Sequence, residues 1–432
     1  MTAGTSGVPV GPAGEPVATA RPEIAGRLRD DGDFRRYWLA RMTSLAGSLV
    51  TAVAMPVLVY RLSHSPGLTA LSTTLEALPY LVVGLFAGAI GDRLDRKRVM
   101  VGADLVNVVV IGSVPVAWWL GVLSVPHVLV AGLLAQTFFT FFDGANFGAL
   151  PVLVGRERVG EANSAVWGFG GVLDLTVPGA VGLALAVIHP ANLLAVDALS
   201  FAVSALMVRT IRRVMSVRRE RAAGARRPLG SILDDIREGL GFLWHHPGVR
   251  SMTAVGTLQS IAGAGWVALW VPWADRVLHI GTSGWRFGLV FSVWGLGGIL
   301  ASALTPRLLR RTRAARLTLL WIPVSGVAGL LVALATQWLV AAALMTVWGV
   351  AYQLVIINSL TYRQQVTPEH LLSRVNTAGR MLSWGVGWTL GALVAGGLST
   401  RMGVRPAMIS VVSVGLLAAV YGWLSPLRQT PR

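Results

Sequence analysis

The side chains of this chain most suited to chemistry are ionisable groups placed inside long apolar stretches. Inserting such a group into a bilayer costs on the order of 2.5–3.5 kcal/mol on insertion scales, so these residues generally face the protein interior or a water-filled cavity. A carboxyl group in that setting can exchange a proton or meet a cationic ligand. The ionisable residues within apolar stretches are Arg41, Glu76, Asp104, Asp143, Asp174, Asp197 and Arg380.

Asp174 is the strongest candidate for proton exchange. It lies about 12 residues into its stretch, which is roughly 18 Å along a helix axis and close to the middle of a bilayer. Burial disfavours the charged form of a carboxyl group. Glu76, in the outer half of its stretch, and Asp143, among phenylalanines, are the further proton-coupling candidates. The alternative is that each carboxyl is structural and hydrogen-bonded to a neighbouring helix.

Tryptophans at helical spacing in two stretches suggest the walls of a ligand cavity. Ligand sites in proteins are mostly apolar with a few polar groups, so neutral amides in neighbouring stretches complete the prediction. The alternative is that these stripes face lipid or the protein core. The predicted substrate-cavity residues are Gln259, Trp266, Trp270, Gln353, Asn358, Trp384 and Trp388.

Several kinds of chemistry are excluded by missing residues. The sequence has no cysteine, which rules out disulfides, thiolate metal sites and thiol catalysis. It has no phosphate-binding G-x-x-x-x-G-K-[ST] loop, so a built-in ATPase of that type is excluded. The zinc spacing His-x-x-x-His is also absent. We therefore predict no metal, no cofactor and no enzymatic activity, and we expect energy to come from a gradient.

The apolar stretches themselves predict transmembrane helices. The chain has 432 residues, of which 54% are hydrophobic and 13% charged, whereas soluble proteins carry about 25% charged residues. A helix needs about 20 apolar residues to cross a bilayer. We predict an all-α integral membrane protein with twelve transmembrane helices. The predicted spans are 37–60, 69–91, 98–121, 126–152, 162–188, 191–211, 250–274, 286–307, 315–336, 338–361, 375–398 and 405–424.

The net charge of +17 raises the question of a nucleic-acid partner. The basic residues cluster in alternate short loops instead of forming one continuous face, which argues against nucleic-acid binding. This distribution follows the positive-inside rule and predicts that both termini are cytoplasmic. The loops on the other side hold only Arg61, Arg276, Arg286, Arg401 and Arg405.

Composition divides the chain into two halves with flanking tails. A faint repeat relates the two halves, and related halves with a site between them are the usual plan of secondary transporters. The linker begins with arginines and continues into a predicted amphipathic helix. The predicted regions are 1–33, a disordered cytoplasmic tail; 34–211, a six-helix bundle; 212–249, the basic cytoplasmic linker; 250–424, a second six-helix bundle; and 425–432, a cytoplasmic tail.

The loop after the second span carries a recognisable motif. It resembles the signature loop of the major facilitator superfamily, with Asp95 in place of the usual second glycine. Further short matches resemble the drug-efflux branch that includes macrolide and siderophore (enterobactin-type) exporters. The fifth-span motif of related antiporters is only partly present, around Pro178 and Gly182. The motif reads Gly88-Ala89-Ile90-Gly91-Asp92-Arg93-Leu94-Asp95-Arg96-Lys97-Arg98, and the further matches include Phe34-Arg35-Arg36-Tyr37-Trp38 and Val196-Asp197-Ala198-Leu199-Ser200-Phe201.

The resemblance implies two pseudo-symmetric six-helix bundles and secondary active transport by alternating access. It implies a protein of the cell membrane, in contact with lipids, that exports amphiphilic small molecules such as a drug, antibiotic or siderophore in exchange for protons. We expect a monomer, and the use of arginine in place of lysine suggests a bacterial source. The resemblance also implies a cytoplasmic gate, in which Asp92 is expected to pair with Arg374 when that side is closed. The gate residues are Gly88, Asp92, Arg93, Arg96, Lys97, Asp104 and Arg374.

Two other functions remain open from the sequence. The same branch includes carriers of lysophospholipids, so a lipid-like substrate is an alternative. A non-transporting membrane sensor or an intramembrane enzyme belongs to a different class. An enzyme would need a reactive pair or metal cluster within the membrane, and a sensor commonly carries an added soluble domain. We find no sign of either in the sequence.

Overall fold

The computed structural model describes residues 27–84, 86–87, 94–216, 230–368 and 371–429, and this part of the chain contains helices and no strands. The all-α prediction is confirmed. The helices are α1 (Gly32–Ser63), α2 (Pro66–Val82), α3 (Arg96–Trp119), α4 (Val125–Val154), α5 (Val159–Ala184), α6 (Pro190–Thr210), α7 (Gly230–His245), α8 (Pro247–Arg276), α9 (Trp285–Leu309), α10 (Ala314–Leu334), α11 (Trp338–Val366), α12 (Leu372–Arg380), α13 (Trp388–Met402), α14 (Val404–Val412) and α15 (Val414–Leu424).

Eleven helical segments of the described chain are long and apolar enough to cross a membrane. The eleventh predicted span is a continuous helix over Arg374–Met402 with a π-helical turn, and the twelfth runs over Val404–Leu424. The helix α2, with 17 residues, occupies the position of the second span. The predicted span limits lie within five residues of the observed ones, except at the end of the second span, where α2 ends at Val82 and the predicted limit of 91 lies outside the described residues.

Polar residues just before the helices set where several of them begin. Asp31 accepts a hydrogen bond of 2.8 Å from the backbone N–H of Phe34, so α1 starts one turn earlier than predicted. Asp95 accepts one of 2.9 Å from Arg98 at the start of α3. Such side chains satisfy N–H groups that lack a partner in the first helical turn. The residue that replaces glycine in the signature loop therefore acts as a helix cap.

The helix α7 lies outside the membrane-spanning set, between the two halves in sequence. It packs on the start of α12, where Glu238 forms an ion pair with Arg374. A Cβ atom on Gly239 would lie 2.8 Å from the carbonyl oxygen of Arg374, so the helices touch through backbone. The contact ties α7 to the second half of the chain.

The buried core differs between the two sides of the membrane. We call inner the side that the arginine distribution predicts to be cytoplasmic, and outer the opposite side. Towards the outer side, both halves contribute to one continuous cluster of buried residues, which includes 53–60 from α1 and 268–274 from α8. Towards the inner side, the first and second halves have separate clusters. The halves are therefore packed together outside and apart inside, an inward-open arrangement.

Glycines allow the halves to approach closely where α5 crosses α9. A Cβ atom on Gly182 would lie 2.5 Å from Cα of Gly288, and the N–H of Gly284 donates a 2.6 Å hydrogen bond to the carbonyl of Gly182. Small residues commonly line close helix contacts in membranes because they let backbones meet. This crossing and the packing of α2 on α13 form the two long seams between the halves.

Candidate functional site

A polar cluster joins the two halves at their outer ends. Tyr60 of α1 donates a 2.9 Å hydrogen bond to Asp275 of α8, and its hydroxyl accepts one of 2.9 Å from Arg276. Arg276 also donates to the carbonyl of His64 at 2.8 Å. Arg61 reaches Oγ1 of Thr282 at 3.1 Å. We call Tyr60, Arg61, Asp275, Arg276 and Thr282 the outer seal.

Glu76 and Asp197 line one small cavity inside the first half. Its volume is about 90 Å³. Asp197 accepts hydrogen bonds from Thr51 at 2.5 Å and from Ser200 at 3.1 Å, so it ties α1 to α6. These contacts indicate a structural role for Asp197. The lining residues are Ser48, Thr51, Ala52, Met55, Glu76, Ile111, Gly132, Ala135, Gln136, Phe139, Asp197 and Phe201.

Asp143 lies between two arginines that come from different halves. One carboxylate oxygen is 3.4 Å from Arg41 of α1, and the other is 3.4 Å from Arg380 at the end of α12. The guanidinium of Arg41 also lies over the rings of Phe139 and Phe142. We call Arg41, Asp143 and Arg380 the interhalf triad.

Asp174 lies apart from both groups of carboxyls. Its side chain is exposed on α5 and does not line the cavity that holds Glu76. Its backbone lies at the seam between the halves, because a Cβ atom on Gly295 of α9 would be 2.7 Å from the Asp174 carbonyl oxygen. The three proton-coupling candidates thus occupy three places: a cavity, an ion cluster and a seam.

The predicted substrate-cavity residues separate into a buried group and three residues that are at least partly accessible. Trp266 and Trp270 are buried within a cluster of aromatic rings in the second half, with ring centres 5.3 Å apart. Gln259 is buried and donates a 3.0 Å hydrogen bond to the carbonyl of Tyr352. Asn358 is also buried and bonds within its own helix. This group contributes to the core of the second half.

Two of the three partly accessible residues, Trp384 and Trp388, lie on the eleventh span. The side chain of Trp384 is 46% exposed, and its ring stacks on that of Trp388 with centres 5.0 Å apart and planes 4° apart. Gln353 of α11 is half-buried. Of the predicted set, Trp384 therefore presents the largest accessible aromatic surface.

The sequence and the fold of this chain match one known family. Residues 37–383 match the sequence profile of the Major Facilitator Superfamily. The chain belongs to this superfamily. As a member it is a multi-pass integral membrane transporter, and its relatives are transporters rather than enzymes.

Curated relatives are similar over nearly the whole chain. The multidrug efflux pump Tap of Mycolicibacterium fortuitum is 30% identical over 407 residues, which cover 90% of this chain and 95% of that protein. The enterobactin exporter EntS of Salmonella typhimurium is 26% identical over 426 residues, covering 94% and 96%. The predicted resemblance to the drug-efflux branch is confirmed.

Solved transporters share the fold. The nucleoside transporter NupG superposes with a TM-score of 0.71 at 12% identity, covering 93% of this chain and 100% of that one. A bacterial homologue of the human lysosomal transporter Spinster, in an inward-facing and unoccupied conformation, superposes with a TM-score of 0.71 at 16% identity, covering 93% and 97%. These similarities confirm the twelve-helix, two-bundle fold of the transporter.

The predicted gate residues of this transporter are only partly described. Gly88, Asp92 and Arg93 lie outside the described residues, so the expected pair between Asp92 and Arg374 stays a prediction. The remaining gate residues contact the inner ends of the first half, except Arg374, which pairs with Glu238. Arg96 donates to the carbonyl of Gly148 at 2.8 Å, Lys97 donates to that of Ile211 at 2.7 Å, and Asp104 is buried in α3.

The sequence did not predict the outer seal or the role of Arg380 in the triad. Tyr60, Arg61 and Arg276 lie at span ends, where basic and aromatic residues are common in any membrane protein. Arg380 was recognised only as a charge within a span. Its position eight residues after the start of α12 is the signal that could have drawn attention to it, since arginine is rare at such a depth.

Proposed function

We propose that this transporter exports amphiphilic small molecules from a bacterial cell by proton-coupled alternating access. One observation carries the proposal: the two halves share a core on the outer side and have separate cores on the inner side. The halves are thereby joined at one side of the membrane and separate at the other, as a transporter open to one side requires. Breaking the outer seal while the inner ends close would open the transporter to the outer side instead.

The relatives support outward transport and a small-molecule substrate. The relatives named as a multidrug efflux pump and an enterobactin exporter align with 90% and 94% of this chain. The exposed ring of Trp384 on the eleventh span provides apolar surface of the kind that drug-sized ligands contact.

Glu76 is the carboxyl group that best suits proton exchange. It lines the cavity of the first half, and within the described residues its carboxyl makes no hydrogen bond. Asp197 in the same cavity is held by Thr51 and Ser200, so its protonation would disturb the packing of α1 on α6. Glu76 can gain or lose a proton without breaking such a contact. Asp143 and Asp174 remain the other candidates.

The test is transport by purified protein in liposomes with an imposed pH gradient. A panel of drug-like compounds and lysophospholipids is offered in both gradient directions and without a gradient. We expect at least one drug-like compound to accumulate only when the gradient is present. Movement of lysophospholipids alone would support the lipid-carrier alternative, and gradient-independent equilibration of every compound would rule out proton coupling.

A further inference from the structure

The interhalf triad places one carboxylate between two guanidinium groups. Both contacts of Asp143 are 3.4 Å long, whereas charge-assisted hydrogen bonds between such groups are typically 2.7–2.9 Å. Arg41 and Asp143 belong to the first half, and Arg380 is separated from Asp143 by 237 positions in the second. The contact between Asp143 and Arg380 is thus a long, weak ion pair between the two halves.

The two arginines of the triad are held very differently. The side chain of Arg41 is 17% exposed, and its guanidinium carbon lies 5.6 Å and 5.8 Å from the ring centres of Phe142 and Phe139. The side chain of Arg380 is 53% exposed. Within the described residues its guanidinium contacts only Asp143, although it carries five N–H donors. Arg380 therefore has free binding capacity, and Arg41 is fixed in place.

The other ionisable groups near the triad include further partners for Arg41, whereas Arg380 has fewer. Asp104 of α3 is close enough to Arg41 for the two charges to interact. Tyr37 of α1 and Tyr80 of α2 lie near the same charges, and the Tyr37 hydroxyl donates a hydrogen bond to Asn146. Among the described residues, Asp143 is the carboxylate that faces Arg380, and Arg380 shares it with Arg41.

An aromatic surface lies next to Arg380 on the same helix face. A π-helical turn, Met381–Gly387, begins directly after Arg380, and such turns are frequent at functional sites. Thr377, Arg380 and Trp384 are the exposed residues along this face. Trp384 lies one turn beyond Arg380 and stacks flat on Trp388. The face combines a guanidinium with a wide indole surface.

We propose that Arg380 binds the anionic group of the substrate, and that Trp384 contacts the aromatic part of the same molecule. The substrate class is therefore a small aromatic organic anion, such as a carboxylate. A guanidinium matches a carboxylate through two parallel N–H···O bonds, which is better geometry than the single long contact that Asp143 makes. The substrate anion would replace Asp143 at Arg380 and loosen the tie between the halves. This inference rests on the proposed function, since it names the cargo of the same transporter.

Binding to the purified, detergent-solubilised transporter tests the inference without transport. The probes are 2-naphthoate, 2-naphthamide and 2-naphthylmethylammonium, which share one ring system and differ in charge. Isothermal titration calorimetry should show naphthoate binding about tenfold or more tightly than the neutral amide, where each factor of ten corresponds to about 1.4 kcal/mol. Equal binding of the three probes would overturn the proposal.

Variants separate a binding role from a structural one. Arg380→Gln should remove the preference for naphthoate, and Arg380→Lys should keep part of it because the charge remains. Asp143→Asn should tighten naphthoate binding, since it removes the carboxylate that competes for Arg380. Damage to the fold would weaken naphthoate binding, so it would not produce the tighter binding expected of Asp143→Asn. Arg401→Gln, an exposed arginine near the outer end of the same span, is the matched control and should leave all three probes unchanged.

Two results would contradict the assignment. One is an equal loss of binding affinity for all three probes in Arg380→Gln. The other is weaker naphthoate binding in Asp143→Asn. Gradient-driven transport by the unmodified protein decides the proposed function separately. Preferential binding of naphthoate without transport of any compound would support the anion site and contradict the proposed export function. Transport without a preference for naphthoate would support the export function and contradict the anion site.

Discussion

The hydroxyl of Tyr60 donates a hydrogen bond of 2.9 Å to the carboxylate of Asp275, which lies 215 residues later in the second half of the transporter. The same hydroxyl accepts a hydrogen bond from Arg276, whose guanidinium lies 5.7 Å from the centre of the Tyr60 ring. One phenol thus links the two halves at the outer side.

Tyr60→Phe should open the outer side more often. The change removes hydrogen bonds to charged groups, each of which contributes on the order of 1.5–3 kcal/mol, while the ring is kept. Because the chain has no cysteine, a single Val181→Cys, buried near the outer end of α5, can be labelled without background. A membrane-impermeant maleimide added outside should label Val181→Cys several-fold faster when Tyr60→Phe is present.

The matched control for this measurement is Tyr421→Phe, which removes a hydroxyl from an exposed position on α15. It should leave the labelling rate unchanged. Equal rates with and without Tyr60→Phe would show that Tyr60 does not hold the outer side closed.

Gly182→Ala should destabilise the closed outer seam. The added Cβ atom would lie 2.5 Å from Cα of Gly288, so the backbones of α5 and α9 must separate. Overpacking of this kind costs about 1–3 kcal/mol. We expect a lower midpoint of thermal unfolding in detergent. Gly168→Ala on the same helix meets nothing within 4 Å and serves as control, and equal midpoints for the two variants would contradict the close approach.

Glu76→Gln should uncouple transport from the proton gradient. The amide cannot titrate, so gradient-driven export should be lost, whereas downhill exchange of substrate should survive because the movement of the halves needs no proton. The assay compares counterflow with uptake driven by a pH gradient in liposomes. Asp174→Asn is measured alongside. If gradient-driven export is lost in Asp174→Asn but survives in Glu76→Gln, the coupling residue is Asp174 and not Glu76.

Arg374 should exchange partners between the two states of the inner side. In the inward-open arrangement it pairs with Glu238, and we predict that Asp92 replaces Glu238 when that side closes. A double-mutant cycle on transport with Asp92→Asn and Arg374→Gln should give a coupling of about 1–3 kcal/mol, the usual size of coupling between sites. The same cycle with Glu238→Gln is the comparison. Strictly additive effects of Asp92→Asn and Arg374→Gln would exclude the gate pair.

The number and the limits of the spans were predictable because they are local properties. About 20 apolar residues prefer the bilayer whatever they pack against. Apart from the end of the second span, composition alone predicted span limits within five residues of those in the structure. The signature loop after the second span was likewise sufficient for the family, because its residue types and its position along the chain are both read directly.

The face that each helix turns towards its neighbours was not predictable from the sequence. A helix that crosses a membrane can be apolar all round, so periodicity does not separate the sides that face lipid, core and cavity. Trp266 and Trp384 show the result: both belong to tryptophan stripes at helical spacing, yet the first is buried in the core and the second is 46% exposed.

Contacts between residues far apart in the chain could not be predicted from the sequence either. Arg41, Asp143 and Arg380 could each be recognised as costly charges within a membrane, which follows from the residue type and its depth alone. Their meeting at one carboxylate depends on how α1, α4 and α12 rotate and pack. The sequence by itself determined the membrane fold, the family and the set of charged candidates, since these depend on the solvent preference of local segments. Only the tertiary structure decided which of them touch and which side of the transporter is closed, because helix packing sets those contacts.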